Sequence, residues 1–393
     1  MDPRTNPYAP GAGTPPPELA GRDKIIEDAA VALDRIRAGR ASRSLILYGL
    51  RGVGKTVLLN RIRIDAEARG IEGIQIEAPE GRSLPAALAP AMRATLLRLS
   101  HIEATKAMIG RALSGLAGFV GAMKLKYGDI EIGIDVEPEK GLADSGDLDS
   151  DLTALLRTVG EAARAAGTAV VLYIDELQYV PEEQLAALIT ALHAASQMQL
   201  PVTMMAAGLP QLVGHTGRAK SYAERLFAFV LVDRLDTAAA TKALCVPAEK
   251  EGIAFDAVAI STIIDQTRGY PYFLQEWGKH SWDVADASPI SSADAEQATI
   301  NALAELDASF FRVRFDRLTP SEKLYVRAMA ELGPGPHRSG DIAEQLGRKV
   351  TAVAPLRNSL ISKGMIFAPS HGDTAFTVPL FDGFMRRIMP PAG

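Results

Sequence analysis

The sequence predicts an α/β fold: a largely parallel sheet covered by helices on both faces, then a helical unit, then a small α+β unit. Three observations carry this reading. Short apolar runs of strand character at 45–48, 71–76, 169–174, 202–207 and 229–232 are separated mostly by segments of helical period, the pattern of strand–helix–strand crossovers. Beyond Leu235 the strand signals stop and helical spacing dominates to about residue 308. From residue 318 the texture changes again, to three short helices and two short strands.

Length and composition bound the answer. A chain of 393 residues suits two or three domains. With 47% hydrophobic and 23% charged residues it is globular in composition. One cysteine, Cys245, and six scattered histidines exclude a disulfide-stapled fold and a cysteine-rich metal site. This points to the reducing cytoplasm. Residues 1–18 hold six prolines and lack a basic start followed by an apolar core, so they read as a disordered tail and not a signal peptide. The longest uncharged stretch, 184–217, is broken by Gln197, Gln199, Pro201 and Gly208. It reads as helix, turn and strand, and no membrane span is required. A net charge of -5 gives no global field to attract nucleic acid, although residues 319–393 hold nine Lys/Arg against six Asp/Glu.

Each element has its own signal. In the sheet domain, 19–235, a helix at 24–38 precedes the strand at 45–48, a glycine cluster and a second helix at 56–68. An insertion at about 79–151 begins with a helix at 85–99. In MKLKYGDIEIGIDV, a turn at Gly128 and Asp129 would pair Tyr127 with Ile130, Leu125 with Ile132 and Met123 with Ile134. That register predicts a hairpin with its apolar side chains on one face. The acidic segment 137–151 reads as a solvated linker. Pro181, Glu182 and Glu183 open a helix whose apolar face is Leu185, Leu188, Ile189 and Leu192. Residues 236–308 read as a helical lid, with Tyr270, Phe273, Trp277 and Trp282 as core at helical spacing. Over 319–389, three helices with the turn Gly347-Arg348-Lys349 and a terminal hairpin outline a winged helix-turn-helix.

Two motifs carry chemistry. GLRGVGKT, comprising Gly49, Leu50, Arg51, Gly52, Val53, Gly54, Lys55 and Thr56, matches G-x-x-x-x-G-K-[ST] between a strand and a helix. Its glycines let backbone N–H groups turn toward the phosphates of a nucleotide at the positive end of the following helix, which continues with Val57. Lys55 would neutralise phosphate charge and Thr56 would give its hydroxyl to Mg2+. The second motif, VVLYIDELQ, is an apolar strand ending in two carboxylates. Asp175 would help hold Mg2+ and Glu176 would polarise an attacking water.

Together these motifs resemble the AAA+ superfamily, and more closely its bacterial and archaeal ATPases related to the origin-recognition and signal-transduction groups. The resemblance covers residues 20–308 and extends through the terminal unit. It implies ATP and Mg2+ as ligands and ATP hydrolysis, slow or partner-dependent. Gly21-Arg22-Asp23 is similar to the family motif whose neighbourhood contacts the adenine. GYPYF, with Gly269 and Pro271, resembles the Gly-x-Pro motif whose proline touches the nucleotide base. SYAERLF places Arg225 where the family's arginine finger lies, reaching a neighbouring subunit of a homo-oligomer; a surface ion-pair residue is the alternative. The strand at 202–207 ends in Gly208-Leu209-Pro210, where many members carry a polar sensor residue, and Arg268 stands in for the usual second sensor arginine. In the winged helix, Arg348, Lys349, Arg357, Asn358 and Lys363 suit phosphate and base-edge contacts with double-stranded DNA. Winged helices also dock proteins, so two outputs follow: a DNA-associated ATPase, or a signalling switch that binds a protein partner.

Overall fold

The computed structural model describes residues 1–78, 81–100, 105–134 and 136–390. The sheet domain runs α1 (Asp23–Arg37), β1 (Ser44–Tyr48), α2 (Lys55–Glu67), β2 (Glu72–Glu77), α3 (Leu84–Leu99), α4 (Lys106–Tyr127) and α5 (Leu148–Ala165). It continues with β3 (Val170–Asp175), α6 (Glu182–Gln197), β4 (Val202–Gly208), α7 (Leu212–Ala219), α8 (Ala223–Leu226) and β5 (Phe227–Leu231). The five strands pair in parallel in the order β2-β3-β4-β1-β5. Alternation along each strand sends its two sets of side chains to opposite faces. Leu45, Leu47, Val171, Tyr173 and Met205 pack under α1 and α2, while Ile46, Leu172, Ile174 and Met204 pack under the helices of the other face. All are buried.

The expected hairpin is not formed. Met123, Leu125 and Tyr127 lie in the last turns of α4, and Leu125 is 92% exposed. The reason is period: Ile109, Ala112, Leu116, Phe119 and Met123 recur every three or four residues and bury one face of a 22-residue helix. Gly128, at φ 73°, ends it. A Cβ at Gly118 would lie 2.7 Å from the Leu142 carbonyl oxygen, so the glycine admits the acidic loop against α4. Asp135 of the hairpin stretch lies outside the described residues.

The lid is α9 (Thr237–Lys250), α10 (Ala257–Thr267), α11 (Pro271–Val284) and α12 (Ser292–Ala308). After it come α13 (Phe310–Asp316), α14 (Pro320–Glu331), β6 (His337–Arg338), α15 (Ser339–Gln345), α16 (Val350–Ser362), β7 (Ile366–Phe367), β8 (Asp373–Phe376) and α17 (Phe381–Ile388). The last three strands form an antiparallel sheet in the order β6-β8-β7. Lid and terminal unit share one core, in which Phe273 of the lid meets Phe311, and Phe311 stacks on Phe384 at 5.3 Å.

Residues 1–18 are also ordered on the lid, against the expectation of a disordered tail. Tyr8 is 4% exposed and its hydroxyl donates to the Leu244 carbonyl. A Cβ at Gly278 would meet the Tyr8 ring at 2.6 Å, so a glycine on α11 makes the seat. The prolines after Tyr8 fit an extended strap, which needs no regular backbone hydrogen bonds. No described helix is long and apolar enough to cross a membrane.

Candidate active site

The site lies at the carboxyl ends of the parallel strands, beside the point where β1 separates β4 from β5. Apolar β1 delivers the chain to Gly49, where a Cβ would stand 2.0 Å from the Val232 carbonyl oxygen. The loop then turns through Gly52 and Gly54 at φ 80° and 88°, values that only glycine adopts without strain. Gly54 caps α2, whose first residue is Lys55.

Lys55 is 8% exposed and donates to the carbonyls of Gly49 and Leu50 at 3.0 and 2.8 Å. Burial pushes its ammonium down to about 8, against the pull of Glu176 and with Arg51 adding to the push. Burial raises the Asp175 carboxyl above the ordinary range, against the opposing influence of the neighbouring Thr56 hydroxyl. A hydroxyl and a carboxylate brought together on a cleft wall are the hard oxygen donors that fit Mg2+.

Glu176 follows Asp175 in a left-handed conformation, φ 51°. Its carboxylate lies 3.7 Å from Arg51 and accepts a hydrogen bond from the Gln178 amide. Gln178 also accepts from the Leu209 amide at 2.9 Å. A Cβ at Gly208 would stand 2.6 Å from Gln178 Oε1, so the glycine expected to leave the strand end without a polar group makes room for Gln178. Arg51 further donates to the Tyr179 hydroxyl at 2.9 Å. Its backbone N–H donates to the Thr377 carbonyl of the terminal unit at 2.9 Å.

These groups open into a cleft of about 450 Å³. The phosphate loop, Asp175 and Glu176 line one end, and the strap residues Ala9–Thr14, Arg22 and Pro271 line the rest. Arg22 is buried and donates to the Val53 carbonyl at 3.3 Å. Pro271 opens α11, and the next amide, Tyr272, donates to Gly52 at 3.1 Å, fastening the lid to the loop. Gly49 and Leu50 form the loop's outer side and line a neighbouring depression instead.

Sequence reasoning missed Arg314. It lies in α13 beyond the lid, lines the same cleft, packs 3.9 Å over the Phe310 ring and donates to the Phe310 carbonyl at 2.6 Å. Among the described residues no carboxylate pairs with it. Burial, and then the nearby Arg51, bring its guanidinium down to about 10. The sequence shows only FFRVRFD, an ordinary amphipathic stretch. Arg268, by contrast, is exposed outside this cleft and lines another surface depression, so it does not take the second-sensor place. Arg225 sits exposed on α8, also away from the cleft, with no ion pair among the described residues. In the terminal unit Arg348, Lys349 and Asn358 are exposed. Arg357 instead donates to Thr374 and to the Asp373 carbonyl, both at 3.0 Å, and Lys363 pairs with the buried Glu322 at 2.7 Å.

Parallel order, phosphate loop and paired carboxylates define a P-loop protein of the AAA+ class. Residues 18–205 match the AAA ATPase domain. Residues 308–385 match a domain of unknown function (DUF8462), a span that includes Arg314. No curated protein matches the chain. Among solved structures, the Walker-type ATPase PABY2304 of Pyrococcus abyssi is similar over 95% of this chain and 97% of its own, at 16% identity and a TM-score of 0.61. The Aeropyrum pernix Orc1 protein, solved in complex with DNA, covers 95% and 94% at 16% identity and a TM-score of 0.48. The Thermotoga maritima RuvB Holliday junction branch migration motor covers 91% and 92% at 14% identity and 0.44.

Proposed function

We propose that the protein binds ATP with Mg2+ in this cleft, hydrolyses it, and passes the nucleotide state to its terminal unit. The convergence of Lys55, Thr56, Asp175 and Glu176 at one end of the cleft carries this reading. The loop amides and Lys55 hold the phosphates, and Arg22 and Pro271 border the base and ribose. Thr56 and Asp175 would hold Mg2+, which would supply charge neutralisation to the phosphate oxygens. Glu176 takes the proton of the attacking water. The contact with Arg51 holds it beside the loop. Arg314, with no anion of its own, meets the terminal phosphate charge.

Transmission runs through two contacts of the terminal unit with the site: the Thr377 carbonyl on the Arg51 amide, and Arg314 itself. Phosphate bound against both would draw lid and terminal unit as one body, since they share a core. Arg225 serves a neighbouring subunit's site in a homo-oligomer. Glu176→Gln should keep ATP affinity and slow turnover by about 10²- to 10⁴-fold, the range of a general base. Equal turnover in the two proteins would remove Glu176 from the chemistry.

For the output, we read the terminal unit as a winged helix with α16 as its recognition helix. Exposed Arg348, Lys349 and Asn358 at the start and outer side of α16 favour double-stranded DNA. A protein partner on the same surface is the alternative, and it is favoured by the internal engagement of Arg357 and Lys363, which leaves fewer cations for phosphate.

A further inference from the structure

Outside the cleft, α11 and α12 bring together a second set of reactive side chains. Glu276 and His280, one turn apart on α11, meet Glu305 of α12, and one ligating atom from each lies within 4.8 Å of the others. We propose that these three residues bind one zinc-class divalent cation.

Two buried atoms carry the proposal beyond the cluster itself. Glu276 is 5% exposed, yet its Oε2 has no hydrogen-bond partner, and His280 Nε2 has none either. The histidine nitrogen stands 3.1 Å from Glu305 Oε2, close enough for an ion pair but out of line for a hydrogen bond. Buried polar atoms are almost always satisfied, and two orphans at one place call for something between them. A cation there satisfies both at once.

The donor set selects the ion. One imidazole nitrogen with two carboxylates suits Zn2+, Co2+ or Ni2+, whereas Mg2+ and Ca2+ take oxygen shells. Ligands around a tetrahedral ion stand roughly 3.4 Å apart for bonds of about 2.0–2.1 Å, so modest side-chain rotation closes the shell. Glu305 is half-exposed and gives the ion a way in, leaving the fourth position to water. Lys279 competes, with its ammonium 3.1 Å from the same Glu305 oxygen. The Glu276 carboxylate also faces the Tyr272 hydroxyl, and Tyr272 borders the cleft. The ion would therefore steady the lid wall of the cleft, whatever the cleft binds.

The test is calorimetric titration of the chelator-treated full chain with Zn2+, without nucleotide. One Zn2+ per chain is expected, bound at least tenfold more weakly by Glu276→Gln and by His280→Ala. Lys279→Met should bind it several-fold more tightly, because the competing ammonium is gone. Asp175→Asn should bind it unchanged, which separates this site from the cleft. Co2+ added to the unaltered protein should give the visible absorption of a tetrahedral site, a readout that needs no variant to fold. Absence of stoichiometric Zn2+ binding, absence of the Co2+ band, or binding equal in Glu276→Gln and His280→Ala would overturn the proposal and leave a bridging water as the occupant.

Discussion

Arg51 lies 3.7 Å from the Glu176 carboxylate, so a residue of the phosphate loop contacts the group proposed above to activate water. The same Arg51 receives the terminal unit through its backbone amide. The terminal unit and Glu176 therefore contact one and the same residue. Of the arginines that line the cleft, Arg51 lies beside a carboxylate, whereas Arg314 has none paired with it among the described residues.

Lys55→Met should abolish ATP binding and raise the stability of the nucleotide-free protein. Its ammonium sits at about 8 in the fold against an ordinary 10.5, so the folded state carries a cost below pH 8. That cost fades as pH rises from 8 to 10.5, where the unfolded chain still binds the proton. Stability should thus climb across this window in the unaltered protein relative to the variant, by about 1–3 kcal/mol in total. Denaturant melts of both proteins at pH 7, 8.5 and 10 check it. Parallel curves would show that burial does not penalise Lys55.

Arg314→Ala should weaken ATP binding by about 10- to 100-fold, the worth of a charge-assisted hydrogen bond, and ADP binding much less. Arg314→Lys should recover part of the difference. Competition titrations with both nucleotides measure the ratio. A ratio unchanged from the unaltered protein, with ATP still bound, removes Arg314 from the terminal phosphate and leaves the phosphate-loop reading intact.

The fold was legible in the sequence to the extent that period and motif agreed. All five parallel strands fall on the apolar runs, because a strand covered on both faces is a continuous apolar word. The hairpin failed because Met123, Leu125 and Tyr127 alternate over too few residues to outweigh the helical period that begins at Ile109. The strap failed for a different reason: composition counts its prolines but cannot see that Tyr8 finds a seat at Gly278. Lys55, Thr56, Asp175 and Glu176 were legible because each belongs to a contiguous motif. Arg314 was not, since nothing local to FFRVRFD shows that folding carries it to a loop more than 250 residues away.

Arg225→Ala and Glu176→Gln should each lose turnover alone and regain part of it when mixed. Arg225, exposed on α8 with no ion pair among the described residues, motivates this, since in a mixed assembly some sites receive an intact Glu176 from one chain and an intact Arg225 from the next. Turnover of mixtures at several total concentrations is the measurement. A monomeric mass in ATP with concentration-independent rates rules the arrangement out.

Replacing both Arg348 and Lys349 by alanine should flatten the plot of log DNA affinity against log salt by about two units, if each contacts one phosphate. Arg357→Ala should act on the fold instead, costing about 1–2 kcal/mol by leaving the Thr374 hydroxyl and Asp373 carbonyl without their donor. Binding at several salt concentrations, with thermal melts of both variants, separates the effects. Absence of DNA binding at low salt with or without ATP, alongside a protein partner lost from the double variant, assigns the surface to protein docking.

Both tryptophans of the chain, Trp277 and Trp282, lie buried on α11. The indole of Trp277 donates to Thr299 of α12, and that of Trp282 donates to the Asp2 carbonyl under the strap. The sheet domain holds none, so it is dark at the long-wavelength edge of the indole band, where tyrosine does not absorb. Intrinsic emission is therefore a private optical channel of the lid: Trp277 reads its helix pair, beside Glu276, and Trp282 reads whether the strap is seated. Single tryptophan-to-phenylalanine variants would separate that signal into its two reporters, with no dye attached.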